Sequence, residues 1–331
     1  MKILAIRFAR LGDVVLLLPA LSQLKESFPD AQLTFLTGHR CGPVAELCPE
    51  IDEVISMDRI ALRDGPILGA LREMVRLVRD IRRRRFDLVV DFHGFRETNL
   101  LTWLSGAPKR IAMKRYEGPY LSFCFNLPPV MEDKGIHVAE MFRRVVAGVT
   151  AIAPSSDRSG IVIPSDMQRW AREAMPNGPR LVLYVDAPVR ERIWPGEYFA
   201  QVADFAIEKL CAHVAVISGS EGKQLTETVR AASRCGKQLS IFSDVTVPQL
   251  AALIASSRLF VSNDTGPMHI GPAVGVSTLG LFSVGYPEHF RPAGPSDRYL
   301  RANPIERIEV KEVIEAMGQM WTTAADPDFR C

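Results

Sequence analysis

Short β-rich runs alternate with helical patterns through both halves of the chain, and this alternation limits the fold more than any other feature. In the first half, residues 2–8, 32–37, 53–57, 87–92 and 110–113 read as strands, and residues 13–27, 68–84 and 137–148 as helices. The second of these helices repeats Leu71, Met74, Val75, Val78 and Ile81 on one face. Pro154, Ser155, Ser156, Pro164, Ser165, Pro176, Gly178 and Pro179 then break the rhythm between residues 150 and 180. The alternation resumes with strands over 180–185, 213–218, 238–242, 259–262 and, last, 277–282. Helices are predicted over 196–210, 221–232 and 247–255, and a helix start over 265–273. Strands that alternate with helices build parallel sheets joined by helical crossovers. A length of 331 residues fits two such domains. The expectation is an α/β chain of two Rossmann-like domains whose parallel sheets face each other across a cleft, 1–155 and 156–331. Ligands in such sheets sit beyond the carboxyl ends of the strands, where helix N-termini point.

Composition closes off several alternatives. A net charge of +2 and a pI near 8.2 are too mild to argue for nucleic-acid binding. Basic residues are nonetheless concentrated between Arg59 and Arg115, including the run from Arg82 to Arg85. The six cysteines show no CxxC spacing and no zinc-finger grouping with histidine, so they read as reduced thiols of a cytoplasmic protein, with no metal site. Arg7, Arg10 and Asp13 interrupt the first apolar run too early for a signal peptide. No stretch reaches the roughly 18–20 apolar residues that span a bilayer.

Three segments at strand ends can carry chemistry. RFARLGD, residues 7–13, joins the first strand to the first helix. Asp13 there is either a helix cap or a general base for a sugar hydroxyl, and Arg7 and Arg10 can meet an anionic acceptor. SNDTGPMH, residues 262–269, joins a buried strand to a helix start. Thr265 can cap it, Gly266 lets the backbone approach a ligand, Pro267 suits the first turn, and free N–H groups there favour a diphosphate. DAPVRERIWP, residues 186–195, follows the first strand of the second half. Arg190 and Arg192 can clamp phosphate, while Trp194 reads as a packing residue. Weaker signals are Glu221, either an acidic residue of a helix start or a ligand for ribose hydroxyls, and His137 at a predicted helix start. Arg82 to Arg85 end a helix, where positive charge suits the dipole or an anionic lipid.

Taken in order, these segments resemble glycosyltransferase family 9, the heptosyltransferases. RFARLGDVVLLLPAL is similar to the family's opening with its Leu-Gly-Asp, and LFVSNDTGPMHIGPAVGVSTLGLF to its Asp-Thr-Gly-x-x-His signature. DLVVDFHGFRETNLLTWLSGAPKRI matches the strand–helix–strand between them. The resemblance implies a GT-B fold and an inverting, metal-independent transferase without a cofactor. It implies that Asp13 is the base, and that Asp264, Thr265 and Gly266, with His269 nearby, hold the donor diphosphate. Arg192 falls where the family usually has Lys, and Glu221 where it has its ribose ligand. Acceptor contacts fall on Arg7, Arg10, Arg63, Arg96, His137 and Arg143. The implied partners are a nucleotide-sugar donor, ADP-heptose, and an anionic Kdo- or heptose-bearing glycolipid at the inner membrane surface. Two departures touch the donor pocket: Pro188 and Val189 stand where the family has small or hydroxyl residues, and Ser283-Val284-Gly285-Tyr286 replaces its Gly-Pro-Thr. A nucleotide-sugar epimerase on the same fold and an exported two-lobed binding protein are the competing readings.

Overall fold

The computed structural model describes residues 1–58, 67–150 and 160–324. The chain divides into two compact units, Met1–Ile161 and Val162–Cys331. The break expected between residues 155 and 156 lies outside the described residues, as does Arg63.

The first unit holds strands β1 (Lys2–Arg7), β2 (Gln32–Gly38), β3 (Glu53–Met57), β4 (Leu88–Asp91), β5 (Lys109–Lys114) and β6 (Val130–Met131). They lie in the order β3-β2-β1-β4-β5-β6, and all neighbours are parallel. Its longer helices, among the described residues, are α1 (Leu11–Ser27), α2 (Ile67–Arg84), α3 (Arg96–Leu104) and α4 (Val138–Ala147). Helix α1 is apolar nearly all round, and residues 14–24 are buried apart from Pro19. A helix of that kind must be covered on both sides, and α1 packs against α4. Helix α2 is the opposite case: Leu77 and Ile81 enter the core with Leu4, Ile6, Leu36 and Val89, and most of its surface faces water.

The second unit repeats the winding. Its strands are β7 (Arg180–Tyr184), β8 (His213–Ser218), β9 (Ser240–Ser243), β10 (Leu259–Asn263), β11 (Ser277–Phe282) and β12 (Arg298–Arg301). The order is β12-β11-β10-β7-β8-β9, again all parallel. Helices α5 (Ser165–Ala174), α6 (Gly196–Leu210), α7 (Lys223–Ala232), α8 (Val247–Ala255) and α9 (Val310–Thr323) accompany them. Leu181, Leu183, Val216, Val261 and Leu279 of the sheet share one core with Trp194 and Phe199, and α9 adds Val313, Met317 and Trp321.

Three sequence expectations need correction. Residues 277–282 do not form the last strand: β12 follows in parallel, but most of RYLR is exposed, so no apolar run marks it. Helix α5 lies inside the stretch read as irregular, and Ala171 is its one fully buried residue. Residues 265–273 form no continuous helix; a 3₁₀ turn over Gly266–His269 hands over to a single short turn, Ile270–Ala273.

The turn after β4 shows how tightly the first sheet's carboxyl edge is built. Asp91 is fully buried and accepts from the backbone N–H of His93 and Gly94, at 2.9 Å each, and from Asn99 Nδ2 at 3.0 Å. Burial pushes the Asp91 carboxyl up, and these donors pull it back down. Gly94 takes φ +70°, and a Cβ there would stand 2.3 Å from the Met113 carbonyl oxygen of β5. Gly94→Ala should therefore cost roughly 2–5 kcal/mol, combining left-handed strain with a clash against immobile backbone. Urea unfolding followed by circular dichroism checks this, and an unchanged midpoint would show that the turn can relax.

Candidate functional site

In a parallel sheet wound in this order, the chain leaves β1 and β4 towards opposite faces, which opens a crevice at their carboxyl ends. The segment 7–13 lies at that point in the first unit. Helix α1 starts at Leu11 with Arg10 as N-cap, and Arg10 makes no side-chain cap. Asp13 is the third residue of the helix, within its first turn, so it does not serve as the cap. Its Oδ1 instead accepts from Arg7 Nη2 at 2.8 Å. Arg7 is only 4% exposed. It also donates through Nη1 to the Phe92 carbonyl at 2.7 Å and lies 4.9 Å over the Phe142 ring. The Asp13 side chain remains 27% exposed. A buried guanidinium thus fixes a carboxylate that still reaches solvent.

The other acceptor candidates fall around the same edge. Arg10 is exposed in the loop after β1, and Arg96 is exposed at the start of α3, directly after the β4 turn. His137 caps α4, its Nδ1 accepting from the Ala139 N–H at 3.3 Å, and Arg143 follows, half-buried, on the same helix. Sequence reasoning missed Arg115, the residue after β5. Its Nε donates to the His93 carbonyl at 2.8 Å, its guanidinium lies 4.3 Å over Phe95, and Glu132 is 3.7 Å away. Burial, and then the positive charge of Arg7, holds Arg115 below the ordinary arginine range, while Glu132, and then Asp13 and Asp91, act the other way. The available signal was positional: a basic residue one step past a strand whose neighbour, β4, borders the crevice.

In the second unit the corresponding point lies between β7 and β10. Asn263, the last residue of β10, is fully buried. Its Nδ2 donates to the Val185 carbonyl at 2.9 Å, and its Oδ1 accepts from the Trp194 N–H at 3.2 Å. Trp194 is fully buried and donates its indole N–H to the Ile308 carbonyl at 3.0 Å, so it packs and anchors, as read from the sequence. This ties the segment 186–195 to the end of β10. Arg192 Nη1 lies 3.1 Å from Asp264 Oδ2. Gly285, at φ +138°, backs the pair: a Cβ there would meet Asp264 Oδ2 at 3.0 Å and Arg192 Nη2 at 3.9 Å. Ser283 donates its hydroxyl to the Glu191 carbonyl. The segment that departs from the family pattern thus shapes the Arg192–Asp264 pair directly. Thr265 precedes the 3₁₀ turn without a side-chain cap, and His269, at the end of that turn, is buried. Glu221 and Thr265 line a pocket of about 600 Å³ together with Tyr184, Asp186 and Pro188. Asp186 accepts there from the Gly219 N–H at 3.2 Å. Arg190 is exposed.

Comparison with known proteins decides the family. Residues 74–316 match the profile of Glycosyltransferase family 9 (heptosyltransferase). The chain belongs to glycosyltransferase family 9. As a family 9 member it is a glycosyltransferase, and its two-unit α/β architecture is of the GT-B type. A lipopolysaccharide heptosyltransferase 3 of Escherichia coli is 24% identical over 82% of this chain and 81% of its own length. A family 9 glycosyl transferase from Veillonella parvula superposes with a TM-score of 0.83 at 22% identity, covering 98% and 97% of the two chains. The ADP-heptose lipopolysaccharide heptosyltransferase II of E. coli gives 0.82 at 18% identity, covering 98% and 99%. Similarity at that identity speaks for the fold, so the family 9 site has to be argued from the residues themselves.

The Arg192–Asp264 pair is open to a direct test. Burial raises the Asp264 carboxyl from 3.8 to about 6, and Arg192 opposes the shift. The folded chain then holds this proton more tightly than the unfolded chain. Its contribution to stability is complete below about pH 4 and is lost as pH rises through about 6, a difference of roughly 3 kcal/mol. Asp264→Asn cannot ionise. The unfolding free energy of wild type minus that of Asp264→Asn should therefore decline by that amount from acid to neutral pH. A difference that stays level across the range would mean that Arg192 fully compensates the buried charge.

Proposed function

We propose that the chain transfers a heptose from ADP-heptose to an anionic inner-core glycolipid of lipopolysaccharide, with inversion at the anomeric carbon. The observation that carries this reading is the matched chemistry of the two crevices. One presents a carboxylate fixed by a buried arginine. The other presents a partly exposed arginine at a strand end, beside a turn of backbone N–H groups. Asp13 removes the proton of the acceptor hydroxyl, and the resulting oxygen attacks the anomeric carbon. The bond from that carbon to the diphosphate breaks, and both electrons leave with the phosphate oxygen. Arg192 and the backbone N–H groups of the Thr265–Gly266 turn stabilise the charge that accumulates there. Because residues 265–273 form two short turns, most of that stabilisation is local hydrogen bonding and little comes from a helix dipole. Glu221, which lines the pocket, takes the ribose hydroxyls in this reading. Residues 1–155 bind the acceptor through Arg10, Arg96, Arg115, His137 and Arg143, and residues 156–331 bind the donor. Arg7 acts through Asp13, since both its Nη atoms are engaged.

The relatives' names support this donor and acceptor, and the reading places the enzyme in the cytoplasm, at the inner membrane surface. None of the described helices is long and apolar enough to cross a membrane. One observation favours a second reading, transfer from a different nucleotide sugar: Asp186 and Pro188 line the pocket in the segment that departs from the family pattern. Binding across a panel of nucleotide sugars separates the two.

Asp13→Asn keeps an oxygen for Arg7 but cannot take a proton. It should fold as the wild type does and lose on the order of a hundredfold or more in kcat. Turnover near the wild-type level would remove Asp13 from the mechanism. Arg192→Ala should weaken ADP binding, measured by calorimetry, by about 1.5–3 kcal/mol, the worth of a charge-assisted hydrogen bond. An unchanged affinity would mean that the diphosphate lies elsewhere.

A further inference from the structure

Helix α2 carries six arginines against Glu73 and Asp80, and the chemistry above uses none of them. Its acidic residues are already engaged. Asp80 pairs with Arg84, which also holds Glu53, and Glu73 lies 3.9 Å from Arg76. Arg72, Arg79, Arg82 and Arg83 are exposed and have no ion pair among the described residues. With Leu77 and Ile81 turned to the core, helical spacing puts Leu71, Val75 and Arg82 in one row and the other free arginines in the row beside it. Leu71 is 59% exposed, and Val75 is exposed as well.

The apolar side of this surface continues past the helix. Arg82 shares a hollow of about 260 Å³ with Trp103, Leu104 and Arg110. Trp103 is 48% exposed and Phe123 61% exposed, and their rings meet edge to face at 6.0 Å. Two large aromatic rings paired in water beside a row of arginines make a surface for which hydration is a poor match. An anionic phospholipid layer suits it better. Indole rings settle at the headgroup boundary, and arginines lay their stems along acyl chains while their guanidinium groups reach phosphate. Two other occupants fit less well. A nucleic acid would use the arginines but not Leu71, Val75 and Phe123. A second copy of the chain would set arginine against arginine.

We propose that α2 and the Trp103–Phe123 pair form a docking face for an anionic phospholipid bilayer. This deepens the reading of a glycolipid acceptor, yet its test contains neither donor nor acceptor, so the two stand or fall separately. The full chain is sedimented with vesicles of phosphatidylcholine, with and without phosphatidylglycerol, at low and high salt. Binding should require phosphatidylglycerol and weaken with salt. The double variant Arg79→Glu/Arg83→Glu should reduce the partition coefficient at least about tenfold. A second measurement reports the face itself. Of the four tryptophans, Trp103 alone is exposed, so bromine-labelled lipid should quench wild-type fluorescence. Trp103→Phe should lose most of the quenching that remains per bound molecule, which assigns the signal to this face. Three results would overturn the proposal: no binding to anionic vesicles, binding indifferent to the charge reversal, or binding without Trp103 quenching. It would equally be overturned if the same variants dissociated a dimer in solution while vesicles had no effect.

Discussion

Both units depend on one steric constraint. Parallel strands cannot be joined by hairpins; each must be followed by a crossover that returns over one face of the sheet. In each unit the crossovers cover one face and then the other, which leaves β1 beside β4 and β7 beside β10. The two chain exits at such a junction diverge, and no connection fills the gap between them. The centre of each crevice follows from what the sequence places at these four strand ends: Arg7 and Asp13 after β1, Asp91 and its turn at β4, residues 186–195 after β7, and Asn263 to Gly266 at β10. Since the location is set by winding, a chain of this topology needs few residues to make a site.

That economy explains what could be read from the sequence. Buried parallel strands are continuous apolar runs, so β1, β7, β10 and β11 were evident, and the segments after them were the natural places to search. What escaped detection lacked that contrast. Strand β12 is an exposed edge piece, and α5 sits between prolines with little to bury. At the site, the polar turn chemistry of residues 262–269 was visible, but its division into two short turns was not, because Gly, Pro and His permit either a helix start or a tight turn. Asp13 was read as a cap or a base. The backbone removes the cap from that choice by starting the helix two residues earlier, at Leu11, after Arg10 as N-cap, and the base remains the proposed role. The contacts of Arg115 and Gly285 were hidden for a different reason, although the position of the one and the segment of the other could be read. Their roles depend on neighbours far along the chain, His93 and Phe95 for one, Asp264 and Arg192 for the other, and no local pattern encodes such a meeting.

The charged groups show a division between holding and binding. Buried ionic groups are costly unless each finds partners, and removing one partner leaves the other stranded. Asp91 meets that demand with two backbone N–H groups and an amide, and so becomes the fixed point of the β4 turn. Asn263 does the same without charge, joining the end of β7 to the main chain of Trp194. These side chains never meet solvent. They make rigid the loops that carry the exposed ones.

Arg7 and Arg192 differ on this axis, and the difference assigns their parts. Arg7 spans two elements, the Phe92 carbonyl on one Nη and Asp13 on the other, over the Phe142 ring. A lysine keeps the charge, but a single ammonium has no planar fork with which to hold both acceptors in place. Arg192 has one carboxylate partner, Asp264, whose own ionisation is made difficult by burial, and about a third of its side chain reaches water. On the proposed reading, an incoming diphosphate would compete with Asp264 for that guanidinium, helped by the burial that already disfavours the carboxylate as an anion. The first arginine is bound too firmly to respond to a ligand. The second is bound by one partner and partly exposed, as the proposed exchange of Asp264 for the leaving diphosphate requires.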